Sequence, residues 1–291
     1  MNASLEGVLF GATLAIYLVS AILFFRFLSG ASDSEKLGTL APRLVGLGAL
    51  LHAAHIVVAS LLFRVCPVEG VHFPMSVVSM LMCALYVVLR KKFRIDVVGA
   101  FVVPMALTSL MASRFVGGAV ATPRLKSAIL PFHVAMNLFG VALFSLAFAA
   151  AALYLVQERL LKEKRVDGLF QRLPPLDALD KAEHRFLLAG FPLLTLGVIT
   201  GTLWAKRLDM AASSDVLRTL FGYVTWLMFA GVLLLRAAAG WRGKRAAYGT
   251  ILGFSFAVLV MVLYLMRGPA PAPASGAMGS PQRGTLGETH L

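Results

Sequence analysis

Four histidines stand where an imidazole could meet a metal, a porphyrin or a proton: His52, His55, His72 and His133. His133 follows Pro131 at the start of an apolar stretch, and Asn137, Gly140 and Phe144 continue the same helical face. An imidazole there could ligate a haem iron, with its second ring nitrogen held by a neighbour. The plainer reading is an interfacial histidine bonded to water or a backbone carbonyl. His52 and His55 share one helical face near mid-bilayer. A buried pair is costly without partners. It could bind a metal or haem, relay protons, or hydrogen-bond to Ser or Thr on another helix. His72 enters an apolar stretch just before Pro74, at an external site or in a solvated loop. Trp204, Lys206, Arg207, Asp209 and Asp215 share a short gap. Lys206 and Arg207 could pair with carboxylates of a ligand; a short charged loop beside an interfacial Trp is the alternative. His184 and His290 read as bland.

The elements that must position these residues are eight apolar stretches, over 7–28, 44–63, 73–89, 97–113, 129–156, 186–205, 216–235 and 246–266. A helix needs roughly 20 residues to cross a bilayer core. The third and fourth stretches, at about 17 residues, are the short ones. Lys and Arg number 18 in the first, third, fifth and seventh gaps and 9 on the other side. That excess predicts cytoplasmic odd gaps and both termini outside. His133, His72 and Trp204 then fall at the outer ends of their spans.

Composition agrees. With 59% hydrophobic residues and a mean hydropathy of +0.82, the chain is not a soluble domain. Its net charge of +13 sits in short gaps beside the spans, where it sets topology and meets lipid headgroups. No nucleic-acid recognition fold lies between those charges. The N-terminus has no basic region before its first span and no cleavage signal, so that span reads as retained. Cys66 lies in an external gap and Cys83 inside the third span, too far apart to bridge. There is no CxxC and no CxxCH.

One polytopic domain is expected over residues 1–267, followed by a disordered Pro/Ala/Gly-rich tail over 268–291. Charge pairing in Gln157-Glu158-Arg159 and Lys162-Glu163-Lys164 predicts that helix five runs past the membrane until Pro174-Pro175 stop it. Pro104 and Pro192 fall inside the fourth and sixth spans, where each removes a backbone hydrogen bond.

Several segments together carry a resemblance. They include His133-Val134-Ala135-Met136-Asn137-Leu138-Phe139-Gly140, Leu153-Tyr154-Leu155-Val156-Gln157-Glu158-Arg159, Arg172-Leu173-Pro174-Pro175-Leu176, Ala189-Gly190-Phe191-Pro192-Leu193-Leu194, Thr225-Trp226-Leu227 and Gly240-Trp241-Arg242-Gly243-Lys244-Arg245. Phe73-Pro74-Met75-Ser76 and Gly99-Ala100-Phe101-Val102-Val103-Pro104 extend it upstream. In this order and spacing, over roughly 45–265, the chain resembles the cytochrome c assembly protein family. This is the CcsA/CcmC/HemX type of haem-handling membrane protein. The resemblance implies haem handling at the outer face of the cytoplasmic membrane. His133 matches the family's upstream external histidine. The family's Trp-rich external segment falls at Trp204–Asp215, where only Trp204 and one Asp remain. The downstream external histidine is missing from Met266-Arg267-Gly268-Pro269. These departures argue against direct haem attachment and for a HemX-like branch.

The sequence therefore reads as an all-α polytopic membrane protein of about eight spans, acting in cytochrome c biogenesis or haem handling. In this reading His133 is a ligand to a b-type haem, Trp204 packs on the porphyrin, and Lys206 or Arg207 lies near the propionates. Asn137 orients the pocket, His72 is the candidate second ligand, and His52 or His55 handles haem in transit. Partners are the lipid bilayer with cytochrome c assembly proteins and apocytochrome c, or with haem-biosynthesis enzymes. The rival is a scaffold that binds no haem and stabilises an assembly or biosynthetic complex through its basic loops. Whether any bond is made or broken stays open. A secondary transporter is not supported, because no internal repeat or matched pair of broken helices is visible.

Overall fold

The computed structural model describes residues 2–30, 34–63, 72–115, 129–165, 168–207 and 213–266. Among these the order is α1 (Asn2–Ser29), α2 (Ser34–Phe63), α3 (His72–Phe93), a 3-10 turn (Asp96–Val98), α4 (Gly99–Phe115), α5 (Ile129–Lys162), the short α6 (Leu169–Arg172), α7 (Leu176–Arg207), α8 (Ser213–Ala238) and α9 (Lys244–Met266). Every helix but α6 lies in a span long and apolar enough to cross a bilayer. The chain is an all-helical, polytopic membrane protein. Helices are the natural solution, because a span in lipid must satisfy its own backbone groups.

Several boundaries differ from the sequence reading, among them the start of α7 at Leu176 rather than near 186. The third and fourth spans are 20 residues each, Pro74–Phe93 and Asp96–Phe115, because the 3-10 turn continues into α4. Helix α2 starts well before residue 44 and carries Pro42 inside it. Its span runs Lys36–Leu62, so His52 lies about 15 Å from the Leu62 end, close to the middle of a bilayer core, and His55 about 10 Å from that end. Helix α5 does not continue to Pro174-Pro175. It stops at Lys162, where Arg165 N–H bonds back to the Leu160 carbonyl across Lys164 in the left-handed conformation (φ 56°). The two prolines instead separate α6 from α7. The expectations for Cys66 and the tail lie outside the described residues.

Alternating spans give the bundle two ends. One, the basic end, holds Ser29, Lys36, Phe93, Asp96, Lys162, Leu176, Ala238 and Lys244; the other holds the opposite span termini. Helix α5 is the central post: 61% of an apolar 18-residue stretch within it is buried, against 17% of the corresponding stretch of α8. It packs on α3, α7 and α9, while α1, α2, α3 and α4 form the other half. Its buried residues combine small side chains with larger ones: Ala142, Ala147, Ala149 and Ala150 beside Phe144, Leu146 and Leu153. Without a hydrophobic drive between helices in lipid, the small side chains let the helices approach.

Polar groups close the basic end. Arg236 on α8 pairs with Asp180 of α7 at 2.7 Å and approaches Glu183 at 4.0 Å. Thr250 on α9 donates to Glu183 at 2.6 Å, and the Gly243 N–H donates to Asp180 at 2.8 Å. Three helices are tied at one node. Arg172, at the end of α6, reaches back to α1: its guanidinium donates to the Phe27 and Leu28 carbonyls and lies 5.7 Å from the Phe27 ring centre. These are among the carbonyls a helix leaves unsatisfied at its C-terminus. Replacing Arg172 by Ala is expected to cost about 1–3 kcal/mol. A lowered thermal midpoint in detergent checks this; an unchanged one contradicts it.

Candidate functional site

His133 sits one turn into α5, at the end of the bundle opposite the basic one, and is partly exposed. Its Nδ1 lies 2.8 Å from the Gly197 carbonyl oxygen and 3.2 Å from Thr200 Oγ1, both on α7. A carbonyl can only accept, so Nδ1 carries a proton, and in the neutral form of the ring the lone pair is then on Nε2. Asn137, one turn deeper, donates from Nδ2 to the His133 carbonyl at 2.8 Å and lies 3.4 Å from Nε2. This contact exists because α7 carries glycine where it meets α5. A Cβ on Gly201 would fall 2.7 Å from His133 Cε1, and one on Gly197 would fall 2.5 Å from Asn137 Oδ1. Deeper along the same seam, a Cβ on Gly190 would meet Phe144 at 2.8 Å.

A second cluster lies at the same end, among α1–α4. Both ring nitrogens of His52 are engaged: Nε2 with Ser76 Oγ at 2.8 Å, Nδ1 with the Tyr17 hydroxyl at 3.4 Å. His52 is fully buried. His55 packs on Phe10, its Nε2 3.9 Å from Glu6 Oε1. Its Nδ1 is buried and finds no hydrogen-bond partner among the described residues. Glu6 is itself buried and paired with Arg114 at 3.1 Å; the Arg114 guanidinium also covers the Phe10 ring at 5.3 Å. The structure thus separates the two histidines that the sequence left equivalent.

Reading the sequence for chemistry passed over Glu6, Arg114, Tyr17 and Ser76. The signal was present in the topology. An acid opening the first span and a base closing the fourth must meet at the same end of an alternating bundle. The backbones of Trp204, Lys206 and Arg207 form the last turn of α7, and His72 opens α3, again at that end. The side-chain roles expected for these four lie outside the described residues. No group of three or more His, Cys, Asp or Glu able to hold a metal ion occurs among the described residues.

The sequence model of the family described as Cytochrome C assembly protein matches residues 65–268. The chain belongs to that family. The match begins just before α3 and runs through α9, so the His133–Gly197 contact lies inside it, whereas Glu6, His52 and His55 lie before it. Relatives agree. A cytochrome c biogenesis protein CcsA from Guillardia theta is 29% identical over 228 residues, covering 68% of this chain and 74% of its own length. Protein HemX from Brevibacillus brevis is 28% identical over 196 residues, covering 66% and 72%. Protein HemX from Bacillus subtilis (strain 168) is 25% identical over 261 residues, covering 88% and 92%. The last alignment spans nearly all of both chains, as expected for a divergent HemX-like member of the cytochrome c assembly family.

Two outcomes follow from this geometry. Replacing Gly201 by Leu should force α5 and α7 apart and cost about 1–3 kcal/mol through overpacking; an unchanged thermal midpoint would contradict the close approach. Replacing Arg114 by Ala strands a buried carboxylate, so it should destabilise more than the double change Glu6→Gln with Arg114→Ala. If the double variant is the less stable of the two, the Glu6–Arg114 pair does not have the role given to it here.

Proposed function

We propose that this member of the cytochrome c assembly family handles haem as cargo during cytochrome c biogenesis, at the outer face of the cytoplasmic membrane, with His133 Nε2 as the iron ligand. The observation that carries this reading is the 2.8 Å contact from His133 Nδ1 to the Gly197 carbonyl. A histidine that ligates a metal usually has its other ring N–H held by a carbonyl or carboxylate, which fixes tautomer and ring direction. His133 has that arrangement on a partly exposed imidazole. Its place inside the family match supports the same reading.

The rest of the site is assigned as follows. Asn137 steadies the imidazole from beneath. Trp204 offers an aromatic face to the porphyrin, and Lys206 and Arg207 offer cations to its propionates. His72, at the same end of the bundle, is the candidate for the second axial position on a b-type haem. His52 is a packing residue, because it is fully buried between Ser76 and Tyr17, whereas His133 is partly exposed. His55 retains a buried nitrogen and is the member of the pair suited to haem or proton traffic. Orientation follows the positive-inside rule, with the basic end in the cytoplasm and both termini outside. Partners in this reading are other cytochrome c assembly proteins and apocytochrome c. No bond-making step is assigned to the chain.

A second reading is favoured by two departures from the family pattern: the Trp-rich segment is reduced to Trp204, and no histidine follows the last span before the tail. It is a HemX-like scaffold that binds no haem and supports haem-biosynthesis enzymes. A haem assay on purified protein separates the two. With haem handling, the protein carries a b-type reduced-minus-oxidised spectrum, and His133→Ala loses most of it while His52→Ala retains it per folded molecule. A protein that stays colourless when cells are given excess haem leaves the scaffold standing.

A further inference from the structure

At the basic end, the terminus of α3 meets the start of α7 around a cleft of about 300 Å³. Lys92, Phe93 and Arg94 line it from one side, Pro175, Asp177 and Lys181 from the other. Phe93 forms the apolar floor and packs edge-on against Phe186 of α7, 5.3 Å between ring centres. Three cations therefore face one carboxylate. Asp177 is already bonded to Lys181 at 2.6 Å, whereas Lys92 and Arg94 make no ion pair among the described residues. Their neighbour Arg90 is different, being committed to Asp96. The cleft lies at the inner limits of the spans Pro74–Phe93 and Leu176–Leu203. In a bilayer the limits of two neighbouring spans fall near headgroup depth.

A second observation concerns Arg94 itself. The Ile95 N–H bonds back to the Arg90 carbonyl at 2.9 Å, and Arg94 between them is left-handed at φ 55°. This is the helix-ending position that glycine normally fills, as Gly240 does in left-handed form just past α8 (φ 66°). A side chain there is held at a conformational penalty. Lys164 ends α5 in the same left-handed form (φ 56°), and Arg94 differs from it in lining the cleft. Here the strained residue is the cation at the rim of the cleft.

We propose that this cleft binds the phosphate headgroup of an anionic phospholipid from the leaflet at the basic end. Lys92 and Arg94 supply the charge, and the first turn of α7 adds the positive end of its dipole. Basic pockets between membrane helices are suited to such headgroups. Asp177 opposes an anion and is offset by Lys181. The proposal takes only the identity of the leaflet from the orientation given above, and its test does not depend on that orientation or on haem.

The test uses the full chain in mild detergent, with lipid adducts counted by native mass spectrometry after addition of dioleoyl phosphatidylglycerol or dioleoyl phosphatidylcholine. The expected result is preferential retention of phosphatidylglycerol. Lys92→Ala with Arg94→Ala should reduce that retention by roughly fivefold per cation removed. The control Arg159→Ala with Lys162→Ala, whose cations are bonded to Glu163 and Glu158 at the same end, should leave it unchanged. Arg94→Gly is the sharpest variant. It keeps the backbone conformation, so the protein should be at least as thermally stable, yet it should retain less phosphatidylglycerol. Equal retention of the two lipids, an equal loss in the control variant, or full retention in Arg94→Gly would overturn the proposal. Displacement of the lipid by millimolar inorganic phosphate would reassign the cleft to free phosphate.

Discussion

The site depends on how closely α5 and α7 approach each other. In lipid no hydrophobic effect pushes two apolar helices together, so their separation is set by what fits between them. Glycine at 190, 197 and 201 removes the side chains that would otherwise hold the helices apart. The Gly197 carbonyl then comes within reach of His133, and the imidazole is fixed in tautomer and direction by a backbone atom rather than by a mobile side chain. A helix carbonyl also accepts from its own chain, and it has a second lone pair to offer His133. Asn137 below and Thr200 beside it add two further contacts to the residue. The helix that carries His133 is packed on α3, α7 and α9.

Polar residues elsewhere are placed under the same constraint, because a charge or hydrogen-bonding group inside the bilayer must find a partner. At the basic end Arg236 draws Asp180 and Glu183 to itself, joining α7, α8 and α9. At the other end Glu6 and Arg114 join α1 to α4. These nodes hold the bundle at its two ends, while between them large side chains such as Tyr17, Tyr86, Phe186 and Phe229 are fully buried among small ones such as Ala142, Ala147 and Ala150. Within the outer cluster the partnering is unequal. His52 is saturated by Ser76 and Tyr17, whereas His55 keeps one buried nitrogen without a described partner. Two histidines three residues apart on one helix face thus have different chemistry, set by which neighbouring helix each one meets.

Much of the fold was legible in the sequence. Eight spans announce themselves by length and apolarity, and the family resemblance seen in short segments agrees with the matched region. The misjudged boundaries have physical causes. Pro42 does not end α2, because the polar residues from Ser34 continue the helix beyond the strictly apolar stretch. Helix α5 ends at a left-handed Lys164, a position where glycine would have been the readable signal. The site was legible residue by residue but not pair by pair. His133 and Asn137 declared their shared face through their spacing, yet nothing local tells that Gly197 and Gly201 lie opposite them. Glu6 is one residue of an N-terminus read only for what it lacks, and Arg114 is counted among the topology charges. Only the packing of α1 against α2 and α4 turns them into neighbours of His55.

The central claim is that His133 presents Nε2 to a haem iron while Gly197 holds its other nitrogen. The most direct measurement is chemical rescue. His133→Gly protein would be purified in detergent and titrated with haem, with and without millimolar imidazole, while the b-type absorption spectrum is recorded. This account requires that the variant bind haem poorly alone and recover the wild-type spectrum when imidazole occupies the vacated position. Wild-type haem binding by His133→Gly without imidazole would contradict it.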